Sequence, residues 1–154
     1  MEDIKRILVV SRMTMESKKA IHYGASLARK YSAELYVIQV VHNPFGLEGW
    51  NLPVPSVEEE YRNILKQTKA ELDGIIMEES RKGAGIKELI KEGDPTSEIL
   101  NAVKEHNIDL MIMVGHEEGR LEHFLFGHSN EQIIRKMPCS ILILKQEPGP
   151  VGFY

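Results

Sequence analysis

Short apolar runs alternate with longer amphipathic stretches along most of this chain. Five runs rich in β-branched and other apolar residues predict strands, over residues 6–10, 34–41, 86–92, 109–115 and 139–145. Runs of this kind are typical of strands that are buried on both faces of a parallel sheet. The third run contains lysine and glutamate and is the weakest of the five strand predictions.

Four stretches between these runs predict helices, each with one apolar face. The first face comprises Ala20, Gly24, Leu27, Ala28 and Tyr31, and the second comprises Val57, Tyr61, Ile64, Leu65, Thr68, Leu72, Ile75 and Ile76, before Gly83 and Gly85 end that helix. The third helix begins at Pro95 with Asp94 as its N-cap, and it buries Ile99, Leu100 and Val103. The fourth is short, from Ser129 to Lys136. Strands that alternate with helices predict right-handed crossovers, hence an α/β fold with a doubly wound, five-stranded parallel sheet and helices on both faces.

A ligand site follows from this topology. In a doubly wound sheet, ligands bind beyond the carboxyl ends of the strands, where the strand order reverses. Three such ends are Val10 to Arg12, Val40 to His42, and Val114 to His116. They converge on one crevice if the first and fourth strands are neighbours.

Two glycines beside this crevice have the anatomy of a phosphate cradle. Gly115 ends a strand and Gly127 precedes a helix, and glycines let backbone N–H groups approach an anion closely. The loop between them differs from a typical cradle, which favours small or basic residues where this chain has Glu117, Glu118, Glu122 and His128.

Composition narrows the class of protein. A chain of 154 residues fits one domain, and a net charge of −4 without a long basic tract argues against nucleic-acid binding. No apolar run is long enough to span a bilayer and the first residues lack the form of a signal peptide, so we expect a cytoplasmic protein without membrane contact. Cys139 is the only cysteine, which excludes an intrachain disulfide and predicts a small buried apolar residue.

Several side chains invite a chemical role. Arg12 suits an anion such as phosphate, or alternatively an ion pair with Glu117 or Glu118 that would close the crevice. A group of potential metal ligands has spacings that match no metal motif, so we expect a polar loop there: His116, Glu117, Glu118, Glu122, His123 and His128. Capping explains Asp94, and no serine lies in a strand-turn-helix elbow, so we expect no catalytic residue.

Two segments lack any periodic pattern. Residues from His42 to Pro55 include three prolines and two glycines and predict a loop, in which Phe45 and Trp50 either cover the crevice or contact a partner protein. At the other end, Phe153 and Tyr154 either dock on a partner or are disordered.

Taken together, these segments resemble the universal stress protein family. The similar segments are residues 6–10, 27–30, 33–35 and 39–41 in the first half, and 93–100, 107–115, 127–134 and 138–144 in the second. The resemblance implies a Rossmann-like fold of the adenine nucleotide alpha hydrolase type. It also implies a family domain over residues 1–146, a short tail over 147–154, and a homodimer formed through the last strand, from Cys139 to Lys145.

Many members of this family bind ATP, and Mg²⁺ would enter such a site only with the nucleotide. The family's nucleotide-binding pattern is a glycine, two residues, a glycine, nine residues, and a glycine followed by serine or threonine. Gly115 and Gly127 match its outer glycines, and Val40 matches the residue whose backbone faces the base. The loop between these glycines is one residue short, Glu117 or Glu118 stands near the middle glycine, and His128 stands at the hydroxyl position. In the first strand, Val10 and Arg12 stand where nucleotide-binding members carry proline and aspartate. A shifted register would let Gly119 and Ser129 compensate.

The resemblance and its departures lead to two predicted functions. We expect a dimeric, non-enzymatic stress-response regulator whose ATP binding is weak or lost, because each missing charge-assisted contact costs about 1.5–3 kcal/mol. The alternative is a sensor that retains an adenine nucleotide through Val40, Gly115, Gly127 and Ser129. A slow phosphohydrolase or nucleotidyl transferase is a third reading, for which the chain offers no convincing base, nucleophile or metal pair.

Overall fold

Strands and helices alternate through the residues described by the structure, a computed structural model that covers residues 3–12, 15–41, 55–115 and 129–145. The strands are β1 (Arg6–Ser11), β2 (Glu34–Val41), β3 (Ile86–Glu92), β4 (Leu110–Val114) and β5 (Ser140–Leu144). The helices are α1 (Met15–Tyr31), α2 (Pro55–Arg81), α3 (Pro95–Glu105) and α4 (Ser129–Lys136). Each predicted element is present, with small differences at the ends of β1, β4 and β5.

The strands form one sheet in the order β3-β2-β1-β4-β5, and every neighbouring pair is parallel. β1 pairs with β2 on one side and with β4 on the other, so the strand order reverses between β1 and β4. The predicted doubly wound sheet, with its first and fourth strands as neighbours, is confirmed. The carboxyl ends of β1 and β4 consequently lie at the same edge, where sheets of this kind bind ligands.

Helices cover both faces of the sheet, as predicted. On one face, α1 and α2 pack on a core cluster that includes Ile7 and Val9 of β1. On the other face, α3 and α4 pack on a cluster that includes Met111 and Met113 of β4, and both methionines are fully buried core residues as predicted. Alternate residues of the central strands face opposite helix layers, which explains why these strands are apolar throughout.

Helix α1 approaches the sheet closely at Gly24. A Cβ atom added at Gly24 would lie 2.4 Å from Val9 Cγ2 and 3.1 Å from Leu35 Cδ1. Both distances are shorter than ordinary carbon–carbon contacts, so the helix reaches this depth because residue 24 has no side chain. The close approach sets the position of α1 over the centre of the sheet.

Two aspartates fix the ends of elements. Asp94 Oδ2 accepts hydrogen bonds from the Ser97 backbone N–H at 2.9 Å and from the Ser97 hydroxyl at 2.8 Å, which confirms the predicted N-cap of α3. Asp109 Oδ2 accepts hydrogen bonds from the backbone N–H groups of Lys5 and Arg6, both at 2.9 Å. Asp109 therefore ties the start of β1 to the start of β4.

Several positions predicted on apolar faces are exposed or only half-buried, among them Tyr31, Ile64, Leu100 and Cys139. Tyr31 is 55% exposed because α1 ends there and Ser32, with φ of 54°, turns the chain. Ile64 is 49% exposed because it lies beside the buried stripe of α2 rather than on it. Leu100 and Cys139 are half-buried, and burial raises the pKa of the Cys139 thiol.

Residues 42–54 and 146–154 lie outside the described residues, so the predictions for Phe45, Trp50, Phe153 and Tyr154 stay predictions. Pro55, predicted as the last loop residue, is instead the first residue of α2, where its fixed φ suits a helix start. None of the described helices is long and apolar enough to cross a membrane.

Candidate functional site

The carboxyl edge of the sheet brings together five residues that the sequence predicted for the crevice. Val10 of β1 and Val40 of β2 line a small cavity together with Arg12. Gly115 directly follows β4, and Ser129 begins α4. A hydrogen bond between Arg12 and Ser129 joins the two sides of this edge.

Arg12 lies across the edge and contacts the start of α4. Its Nη2 donates hydrogen bonds to Ser129 Oγ, at 2.8 Å, and to Asn130 Oδ1. Ser129 and Asn130 are only 4% and 7% exposed. Backbone N–H groups at a helix N-terminus carry partial positive charge and attract anions. The guanidinium therefore lies at the helix end where we expected a phosphate.

Both ends of this contact are held by further hydrogen bonds. The Arg12 backbone N–H donates to Ser17 Oγ of α1 at 2.7 Å. Asn130 Nδ2 donates to the carbonyl oxygen of Val114, at the end of β4, at 3.1 Å. Asn130 was missed by the sequence analysis, because it is the second residue of α4, past the capping position, and no sequence signal marked its contact with β4.

The cavity at this edge is small. Its lining includes Val10, Arg12 and Val40 from the strand ends and Pro95 and Ile99 from α3, and its volume is about 10 Å³. A cavity of this size is at the lower limit for a single water molecule, about 10–15 Å³. This cavity alone therefore has no room for a nucleotide.

Gln39 also lines the cavity and was missed by the sequence analysis. It is 3% exposed, and its Oε1 is buried without a hydrogen-bond partner among the described residues. A buried acceptor without a partner costs about 1–3 kcal/mol of stability. The available signal was a single amide in β2, where every other residue after Glu34 is apolar or aromatic.

Gly115 closely approaches the edge strand β5. Its backbone N–H donates to the carbonyl oxygen of Leu144 at 2.9 Å. A Cβ atom added at Gly115 would lie 3.3 Å from Ile143 Cγ2, which is closer than nearly all real Cβ contacts. The glycine therefore has a packing role between β4 and β5 in addition to the cradle role predicted for it.

The remaining predicted site residues, Gly127, Glu117 and His128, lie outside the described residues, together with the rest of the loop between β4 and α4. The predicted cradle and the pairing of Arg12 with Glu117 or Glu118 stay predictions for that reason. In the part of the chain that the structure describes, no group of three or more His, Cys, Asp or Glu side chains is arranged to hold a metal ion.

The fold and the geometry of its carboxyl edge define a Rossmann-like α/β domain. The chain belongs to the universal stress protein family, because the family's sequence profile matches residues 3–145. Universal stress protein MJ0531 of Methanocaldococcus jannaschii is 31% identical over 147 residues, which cover 92% of this chain and 82% of the relative. The family resemblance of the sequence is thus confirmed.

Solved structures of universal stress proteins share the fold. UspA of Lactobacillus plantarum has a TM-score of 0.76 to this chain at 18% identity, covering 94% of this chain and 99% of that one. A universal stress protein in complex with cAMP has a TM-score of 0.66 at 15% identity, covering 93% and 98% of the two chains. The Archaeoglobus fulgidus protein in complex with dAMP has a TM-score of 0.62 at 13% identity, covering 93% and 98%. Some proteins that share this fold therefore bind nucleotides.

Proposed function

We propose that this chain is a cytoplasmic, homodimeric and non-enzymatic stress-response regulator whose crevice binds ATP weakly or not at all. The single observation that carries the proposal is the position of Arg12. Its guanidinium contacts the first turn of α4, at the end of the crevice where nucleotide-binding relatives would receive phosphates. A guanidinium bonded at this helix end occupies the space beside Ser129 in which a phosphate would lie.

A direct experiment tests the ATP part of the proposal. Protein purified without added nucleotide is extracted with acid, and the extract is analysed for adenine nucleotides. A thermal-shift titration with MgATP complements the extraction, because ligand at a hundred times its dissociation constant adds about 2.7 kcal/mol of stability. The proposal predicts an empty extract and little shift at millimolar MgATP, whereas a large shift at micromolar MgATP would contradict it. The same samples, assayed for phosphate release, should show no turnover.

The two edges of the sheet support dimerisation through β5. Edge strand β3 carries four charged residues in seven, an arrangement that discourages pairing with another strand. Edge strand β5 has no charged residue, and its Ile143 is 48% exposed. An uncharged apolar edge presents unpaired backbone groups to a matching strand. A second copy of β5 supplies such a strand through a two-fold axis.

The oligomeric state tests this interface. Light scattering at micromolar concentration is expected to give the mass of a dimer for the native chain. Ile143→Lys places a charge on the edge and should give a monomer. Ile64→Lys is the matched control, because Ile64 is equally exposed on α2 and should leave the dimer intact. A native monomer, or an Ile143→Lys dimer, would contradict pairing through β5.

A second candidate function is a sensor that retains an adenine nucleotide. Its support is the convergence of Val40, Gly115 and Ser129 on one edge, together with the cAMP and dAMP complexes of relatives. Gly127 would complete this set. The acid extract separates the candidates, because a sensor carries nucleotide through purification or binds it on addition, and Mg²⁺ would enter only with that nucleotide.

A further inference from the structure

Arg12 connects two parts of the chain that are 117 residues apart in sequence, the end of β1 and the start of α4. We infer that this side chain is a latch that closes the crevice, and that an adenine nucleotide must displace it from Ser129 and Asn130 in order to bind. The inference rests on the proposed function of the crevice and concerns how access to it is controlled.

The latch uses the acceptors at the helix start. Both donated bonds come from one guanidinium nitrogen and end on two consecutive side chains in the first turn of α4. Because both acceptors are more than nine-tenths buried, the bonds are shielded from water, which strengthens them. While they persist, the guanidinium occupies the space beside the Ser129 hydroxyl.

The latch has fixed supports on both sides of the point where the strand order reverses, between β1 and β4. The backbone of Arg12 is tied to α1 through Ser17 Oγ, and Asn130 is tied to the end of β4 through the Val114 carbonyl oxygen. The supports belong to the sheet and its packed helices, whereas the bridge between them is one long side chain. Rotation of the Arg12 side chain would therefore open this edge without breaking a strand or a helix.

The cavity behind the latch is small. It holds about 10 Å³, whereas sites for small molecules have volumes of about 300–1,000 Å³. This cavity alone therefore has no room for a nucleotide, and movement of Arg12, which lines it, would enlarge it.

Affinity measurements on Arg12 variants test the latch. Removal of a latch should raise the affinity for a nucleotide, whereas removal of a phosphate-binding arginine would lower it. Isothermal titration with MgATP and with AMP is compared for the native chain, Arg12→Ala and Arg12→Gln. Both variants should bind at least one of these nucleotides about ten-fold more tightly, a change equal to about 1.4 kcal/mol. Arg135→Ala is the matched control, because it removes an exposed arginine from the same helix and should leave affinity unchanged. The two variants at residue 12 keep the test valid if one of them folds poorly.

The outcomes separate the latch from the proposed function. Unchanged or weaker binding in the Arg12 variants overturns the latch, because Arg12 is then a bystander or a ligand contact. Absence of binding in every variant also overturns the latch, because removal of Arg12 would then have opened no site. That outcome leaves the proposal of lost ATP binding intact. Tight MgATP binding by the native chain overturns the proposal of weak ATP binding, and a further loss in Arg12→Ala would overturn the latch as well.

Discussion

The substitution Gly24→Ala tests how closely α1 packs on the sheet. The added Cβ would lie 2.4 Å from a methyl group of Val9, and Val9 is fully buried in the central strand β1. Valine has one strongly preferred side-chain rotamer in most settings, so its methyl group has little freedom to move away. We expect the helix or the strand to shift, with loss of packing on this face of the sheet.

The size of the effect follows from two opposing terms. Overpacking a core costs about 1–3 kcal/mol, and so short a contact places Gly24→Ala near the upper end. Alanine recovers about 1 kcal/mol relative to glycine within a helix. The free energy of unfolding should therefore fall by about 2 kcal/mol, which for a chain of this size corresponds to a melting temperature lower by about 4–8 °C.

Gly74→Ala is the matched control, because Gly74 lies within helix α2 and a Cβ atom there meets nothing within 4 Å. This control should be more stable than the native chain by about 0.5–1 kcal/mol, since only the backbone term remains. Urea denaturation measures both variants at one protein concentration, because the stability of the proposed dimer would depend on concentration. Equal stabilisation by the two substitutions would refute the close packing of α1 on Val9.

Two further predictions concern local electrostatics. Asp94→Ala should lower the free energy of unfolding by about 1 kcal/mol in urea denaturation, because the bonds to Ser97 that cap α3 are lost, whereas Asp94→Asn should retain most of it. Burial and the neighbouring Asp73 raise the pKa of Glu88, so the stability that this group contributes at acidic pH is lost as pH rises through the raised pKa. The free energy of unfolding of Glu88→Gln should therefore exceed that of the native chain most at neutral pH, and the difference should shrink towards pH 4. A hydrogen bond from protonated Glu88 lowers the pKa of Asp73, so Asp73→Asn should lose more stability at mildly acidic pH than at neutral pH, where Glu88 is ionised. Parallel pH curves for all three chains would contradict both signs.

Most of the fold could be predicted from the sequence because its signals are local. The bounds of β2 follow from the length of its apolar run. The bounds of β3 follow from Gly85 and Gly93, which flank it. Asp94 followed by proline predicted the start of α3, since capping depends on residues within one turn. The burial of Tyr31 and Ile64 was predicted wrongly because it depends on where a helix lies over the sheet, which periodicity within the helix does not determine.

The site was less predictable because its contacts are long-range and depend on side-chain conformation. Topology alone predicted that Arg12 would lie at the carboxyl edge of the sheet, and the family resemblance added Ser129. Neither predicted that the guanidinium would bond to α4, because an arginine side chain has several rotatable bonds and its partners are chosen by packing. Gln39 gave a signal in the sequence, but its unpartnered acceptor is visible only once the strands around it are in place.

Gly115 shows why a glycine pattern in this family is weak evidence for a bound nucleotide. A side chain at residue 115 would press on Ile143 of β5, and the backbone N–H of Gly115 bonds to Leu144 in the same strand. The close approach of Ile143 is therefore a reason for glycine here that does not depend on a phosphate in the crevice. The chemistry at this edge is decided instead by residues that packing does not require. Arg12 acts on that chemistry directly, because its guanidinium bonds to Ser129 and Asn130 at the start of α4.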